Sequence, residues 1–265
     1  MIHFLDSVPL GDRGLHYGDG LFETMAVVDG TIRLFERHLA RLELGAARLM
    51  LPQAPMRVLR DELAEVASGL GEGVLKLIMT RGSGGRGYAL PESPQPSLIV
   101  LRYPGAVPPV AGMEEGGVRV RLCETRLARQ PRLAGIKHLN RLEYVLARAE
   151  WSDPTVAEGL LLDSEGWLVE GVVSNVFFVR AGCLCTPLLD QCGVDGVMRQ
   201  HVMTRAAALG VDVMEVRPCL RELLDADEVF ITNSLHGIRA VTQLDGQRAW
   251  TAGPLTALLR EGLWA

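Results

Sequence analysis

The apolar residues of this chain change period repeatedly, from two to about 3.6 and back, which confines it to a mixed fold of sheets and helices. Thr24-Met25-Ala26-Val27-Val28 and Thr31-Ile32-Arg33-Leu34 flank Asp29-Gly30. That pair tolerates positive φ at both central positions, so the spacing predicts a hairpin on a type I′ turn. Residues 36–49 place Leu39, Leu42, Ala46 and Leu49 on one helical face, and residues 56–67 do the same with Leu59, Leu63, Val66 and Ala67. Residues 74–80 and 97–101 read as strands around a glycine-rich loop, 81–88. A proline- and glycine-rich stretch at 104–112 then changes the composition, as an interdomain linker does. Beyond it come a strand at 117–123, a helix at 139–151, and hairpins pairing 159–162 with 167–169 and 176–179 with 183–185. A helix at 196–209 is closed by Gly210, strands at 212–216 and 228–232 bracket a short helix, and Pro254 opens a final one. The expected architecture is α/β (α+β mixed) in two domains, 1–104 and 117–265, joined by a linker over 105–116.

Hydrophobic residues make up 48% of the chain and charged ones 22%, enough to bury a sizeable core. No apolar run reaches the ~18 residues of a membrane span. The first residues lack the basic and apolar regions of a secretory signal. A net charge of −5 with interspersed signs gives no reason to expect nucleic acid. Cys123, Cys183, Cys185, Cys192 and Cys219 show no repeated spacing, so free thiols in a reducing cytoplasm are expected, with no metal site.

Several positions could carry chemistry. Lys137 follows the apolar run Leu133-Ala134-Gly135-Ile136, and partial burial would favour a nucleophilic amine suited to a Schiff base. A solvated lysine at a helix start is the ordinary alternative. Glu170 lies at a strand end, where a carboxylate could keep a pyridine nitrogen protonated or simply face water. Gly193-Val194-Asp195-Gly196-Val197-Met198-Arg199 leads into a helix, and free amides at a helix start suit a phosphate. Arg41, on the same helical side as His38, could fork onto such an anion. Asn233 and Ser234 could add hydrogen bonds or cap a turn. Arg81 and Arg86, on the glycine-rich loop, are candidates for carboxylate recognition, and Tyr17 could line a cleft.

Taken in order, His16-Tyr17-Gly18-Asp19-Gly20-Leu21-Phe22-Glu23, His38-Leu39-Ala40-Arg41-Leu42, Lys137, Glu170 with Asn175-Val176-Phe177, residues 193–199 and Phe230-Ile231-Thr232-Asn233-Ser234 resemble the class IV pyridoxal-5′-phosphate (PLP) aminotransferase fold. Each motif is weak and the ordered set is strong. The resemblance implies PLP on Lys137, Glu170 facing the pyridine nitrogen, and a phosphate held by Arg41, the backbone of Val197 and Met198, Asn233 and Ser234. Residues 81–88 and 133–143 look most like the family's lyase branch. That implies conversion of 4-amino-4-deoxychorismate to 4-aminobenzoate and pyruvate for folate synthesis, with Tyr17, Arg81 and Arg86 near the substrate. A D-amino-acid or branched-chain aminotransferase is the alternative on the same fold. Branched-chain members place a tyrosine five residues after the lysine, where this chain has Leu142. A homodimer is also expected by resemblance.

Overall fold

The computed structural model describes residues 4–52, 55–107 and 116–264. The chain divides into two compact units, Met1–Val107 with Ile136–Arg141, and Pro108–Gly135 with Leu142–Ala265. Of the expected linker over 105–116, residues 108–115 lie outside the described residues. The segment Ile136–Arg141 returns to the first unit, which the linear division of the sequence does not anticipate.

In the first unit the chain forms α1 (Arg13–Tyr17), β1 (Gly20–Val28), β2 (Thr31–Ile32), α2 (Phe35–Arg48), α3 (Met56–Leu70), β3 (Gly73–Thr80) and β4 (Ser97–Pro104). The strands make an antiparallel sheet in the order β2-β1-β3-β4. The hairpin between β1 and β2 turns at Asp29 and Gly30, with φ of 49° and 72°, as the type I′ reading requires. Leu21, Met25, Leu75, Leu77 and Met79 line one face of the sheet and are buried, as are Leu39, Leu42, Leu59 and Leu63 of the two helices. Gly45 brings α2 close to β1, since a Cβ there would lie 2.9 Å from Leu21 Cδ1. Alternation places Phe22, Thr24, Lys76 and Ile78 on the opposite face.

The second unit contains β5 (Val118–Leu127), α4 (Leu142–Arg148), β6 (Val156–Asp163), β7 (Leu168–Gly171), β8 (Asn175–Arg180), β9 (Cys183–Pro187), α5 (Val197–Ala208), β10 (Val213–Val216), α6 (Leu220–Leu224), β11 (Glu228–Asn233), β12 (Gly237–Leu244), β13 (Arg248–Ala249) and α7 (Pro254–Arg260). A mixed sheet runs β10-β9-β8-β11-β12-β5-β6-β7, with β13 on β12. Strand β6 is almost wholly buried, as a near-continuous apolar run predicts for a central strand. Val120, Leu160, Val176, Phe178, Ile231 and Leu244 anchor its main core. A smaller cluster gathers Cys123, Leu127, Ala147, Leu161, Val169 and Cys192, with Tyr144 packed against it.

Three readings change. The helix expected from residue 139 begins at Leu142, because the preceding residues pair with β1 instead: Phe22 N–H donates to Lys137 O and Leu139 N–H to Gly20 O. Strand β12 was not read from the sequence. Nor was α1, whose start is capped by Asp12 accepting from Gly14 N at 2.7 Å.

Candidate active site

In the first unit, Lys137 sits on an extended segment bridged to β1 through His138 and Leu21. Tertiary pairing with the strand has overridden the helical signal there. The lysine is half-buried, and its Nζ lies 4.5 Å from the centroid of the Phe22 ring. A cation over an aromatic face is stabilised by about 0.5–1 kcal/mol, which holds the long side chain toward that face.

Arg41 and His38 do share a side of α2, and what joins them is Glu23 of β1. Arg41 forks onto this carboxylate from Nε at 2.8 Å and Nη2 at 2.5 Å, and His38 Nδ1 lies 2.6 Å away. All three side chains are buried. Burial pushes the Glu23 carboxyl up, but the Arg41 charge and the hydrogen bonds from His38 and Arg41 more than offset it and bring it down to about 2. Burial pulls His38 below the usual imidazole value despite its bond to Glu23. A neutral His38 therefore donates from Nδ1 to Glu23, leaving Nε2 with a lone pair and, among the described residues, no hydrogen-bond partner. Glu23 closes the motif His16–Glu23, but no role was read for it; its place on the helix-facing side of β1 was the available signal.

Arg81 corrects an expectation. Its side chain is buried, donating to Asp19 at 2.8 and 2.9 Å and to the carbonyls of Met50 and Leu49 at 2.6 and 2.7 Å. Arg13 grips the same carboxylate from the other side. Burial raises the Asp19 carboxyl less than Arg81 and Arg13 lower it. Arg81 is a structural cation committed to the unit's interior, and an isolated arginine in a glycine-rich loop gave no hint of this. Arg86 is exposed, as is Tyr88, whose ring meets Tyr17 edge-on at 5.4 Å. Arg13 fastens this part of the loop through the carbonyls of Gly87 and Ala89.

In the second unit Glu170 is buried at β7, and three donors fix it: Tyr144 Oη at 2.6 Å onto Oε1, Asn175 Nδ2 at 3.2 Å and Val194 N at 3.0 Å onto Oε2. Tyr144 was missed; it lies on α4, one residue before the exposed Val145. Leu142, at the position where branched-chain members carry tyrosine, is 77% exposed. Asn175 also donates to Val194 O at 2.8 Å, so β8 and the turn before α5 are locked together. The first turn of α5 is buried at Val197 and Met198, and no side chain caps it at Gly196. A helix start leaves its first N–H groups without intrahelical acceptors. At Asn233 the structure favours the capping role, since its Oδ1 accepts from Leu235 N at 3.0 Å and His236 N at 2.8 Å. Ser234 beside it is half-buried.

The donor sets fit PLP. The uncapped, buried start of α5 offers amides and a positive dipole end to a phosphate. Glu170 is a carboxylate oriented by its neighbours, and Lys137 is an amine held on an aromatic face.

These features define an α/β enzyme equipped for a small anionic cofactor. The amino-transferase class IV family matches residues 20–244, and the chain belongs to that family. It is 34% identical to the aminodeoxychorismate lyase of Vibrio harveyi, over 96% of this chain and 93% of that one. Among solved structures, the 4-amino-4-deoxychorismate lyase from Pseudomonas aeruginosa is 50% identical, with a TM-score of 0.93 over 98% of this chain and 95% of that one. The T.th. branched-chain amino acid aminotransferase with pyridoxamine 5′-phosphate is 27% identical, with a TM-score of 0.82 over 97% of this chain and 88% of that one.

Proposed function

We propose that this protein is a PLP-dependent lyase converting 4-amino-4-deoxychorismate to 4-aminobenzoate and pyruvate. The 50% identity to the Pseudomonas aeruginosa lyase over 98% of the chain carries this reading, because the fold alone is shared with aminotransferases. Lys137 is assigned to hold the cofactor. Glu170, fixed by Tyr144, Asn175 and Val194, is assigned to the pyridine nitrogen. Arg41, the amides of Val197 and Met198, and Ser234 are assigned to the phosphate, with the side chain of Asn233 shaping the turn that presents Ser234. Bound PLP supplies the electron sink that makes a proton on the amine-bearing carbon removable.

With PLP bound, Lys137 Nζ would be the base that takes this proton. Lys137 would then return that proton to the enolpyruvyl group as its C–O bond breaks, so that pyruvate leaves and the ring becomes aromatic. With Arg81 committed elsewhere, Tyr17 and Arg86 remain as candidates near the substrate.

Release of pyruvate from 4-amino-4-deoxychorismate with no 2-oxo acid present is the expected result, since an aminotransferase needs a second half-reaction. Turnover only after a 2-oxo acid is added would overturn the lyase reading. Borohydride reduction followed by peptide mapping should place the pyridoxyl label on Lys137, and a label on Lys76 would sink the assignment.

We also propose a homodimer, supported by the exposed apolar spacing of Leu142, Val145 and Leu146 on α4. Light scattering that gives the mass of a single chain would refute it. A cytoplasmic setting is supported by five unpaired cysteines. No helix among the described residues is long and apolar enough to cross a membrane.

A further inference from the structure

Glu158 of β6 is 3% exposed, and none of the four groups that donate to it carries a charge. Its Oε1 accepts from Gly159 N at 3.0 Å and Val172 N at 3.1 Å. Its Oε2 accepts from Val173 N at 3.2 Å and Ser174 Oγ at 2.7 Å. A carboxylate has about four acceptor positions, so a proton on this one would displace a donor. Burial raises the Glu158 carboxyl above its ordinary value, against the pull of these four hydrogen bonds. Burying a carboxylate among neutral donors is costly, and an apolar side chain would fill the space without that penalty.

What the carboxylate holds is the turn 171–174, which joins β7 to β8. The turn closes where Gly171 N donates to Ser174 O at 2.7 Å, and Val172 N also reaches Gly159 O at 3.0 Å. Packing there is tight: a Cβ on Gly171 would lie 2.3 Å from Ser174 Oγ and 3.0 Å from Glu158 Cγ. Three donors of the turn are thus gathered on one buried side chain, while Val173 is 68% exposed. Glu170 precedes the turn and Asn175 follows it, and the two meet where Asn175 Nδ2 donates to Glu170 Oε2 at 3.2 Å. At the same turn, Val173 O accepts from Asn233 Nδ2 at 3.3 Å, and Asn233 Oδ1 caps Leu235 and His236.

We propose that Glu158 is a positioning residue for the cofactor site, fixing through one turn both the Glu170–Asn175 pair and the Asn233 side chain that shapes the Ser234 turn. This rests on the PLP assignments above and deepens them with a residue that acts only through other groups. Glu170 and Asn175 leave the two ends of a four-residue turn, so slackening of that turn lets their hydrogen bond lengthen. It also frees the Val173 carbonyl from Asn233. One buried charge thereby sets the ring-nitrogen end and the phosphate end of the site together.

The test is Glu158→Gln, which keeps the side chain's shape. Its amide nitrogen can turn to Ser174 Oγ, which also accepts, but Val173 N then loses its acceptor. On the PLP-loaded enzyme, equilibrium dialysis should show cofactor binding weakened about 10- to 100-fold, the range for losing a hydrogen bond to a charged group. The visible band of bound PLP should also titrate at higher pH, because a ring nitrogen less firmly protonated repels the proton at Lys137 Nζ less. A glutamate that only stabilises the fold would lower the urea midpoint and leave that titration where it was. Ser174→Ala removes one donor and keeps the carboxylate, so it should weaken PLP binding about 2- to 10-fold with the same direction of titration shift. It carries the test if the glutamine variant does not fold. Unchanged PLP affinity in the folded variants, or weaker binding with an unmoved titration, overturns the proposal. Failure of the PLP assignments looks different, because Glu170→Gln then leaves affinity and titration alike unchanged.

Discussion

Replacing Glu23 by glutamine keeps the side chain's shape and removes its charge, taking from the buried Arg41 the carboxylate onto which it forks. Two routes give the cost. The fall of the Glu23 carboxyl from its ordinary 4.5 to about 2 corresponds to about 3 kcal/mol of preference for the charged form in the folded state. Removing one partner of a buried ion pair costs about 3–5 kcal/mol in general. Glu23→Gln should therefore lose about 3–5 kcal/mol of stability at pH 7. The sign with pH follows from a folded value that lies below the unfolded one. The contribution is fully present above about pH 4.5 and fades as pH falls toward about 2. The unmodified protein should thus lose stability across that window faster than the variant does. Urea denaturation followed by far-UV circular dichroism is the assay, since Trp151, Trp167, Trp250 and Trp264 all lie in the second unit and report poorly on the first. A loss under about 1 kcal/mol at pH 7, or parallel acid profiles for the two proteins, would refute the reasoning.

Gly196→Ala should be costly for cofactor binding, because its Cβ would overlap Asn175 Oδ1 and displace the amide that holds Glu170 and Val194. Equilibrium dialysis of PLP should show about tenfold or greater weakening, and unchanged affinity would count against α5 as the phosphate site. Tyr144→Phe removes the hydrogen bond to Glu170 Oε1 and should cost about 1–2 kcal/mol of cofactor affinity. Normal PLP retention in that variant would separate Glu170 from the cofactor. Burial pushes the Cys123 and Cys192 thiols up to about 12, so iodoacetamide at pH 8 should label the half-buried Cys183 and Cys219 first. Early labelling of Cys123 by mass spectrometry would contradict its packing.

Local signals that agree with tertiary structure were legible. Asp29-Gly30 turned where its chemistry required, and Leu39, Leu42, Leu59 and Leu63 faced the core that their spacing implied. Signals that long-range partners override were not. Leu139 opens the stretch expected to be helical, yet its N–H is taken by Gly20 of β1 and the helix starts only at Leu142. Arg81 and Arg86 look alike in sequence, and only the positions of Asp19 and of the Leu49 and Met50 carbonyls send one inward. Glu170 could be named from its strand end, but Tyr144, which fixes it, lies 26 residues earlier on a helix, and only the fold brings the two together.

The return of Ile136–Arg141 to the first unit has a consequence for biosynthesis. A ribosome adding about 5–20 residues per second needs about 2–7 s to proceed from Val107 to Arg141. During that interval the nascent sheet has no partner for Gly20 and Phe22, and this edge of β1 is open to pairing with another chain. The residue assigned to hold the cofactor sits on the strip that closes it. Docking of that strip shields a sticky edge and brings Lys137 to Phe22 in one event, so a nascent chain too short to cover the edge is also too short to be active.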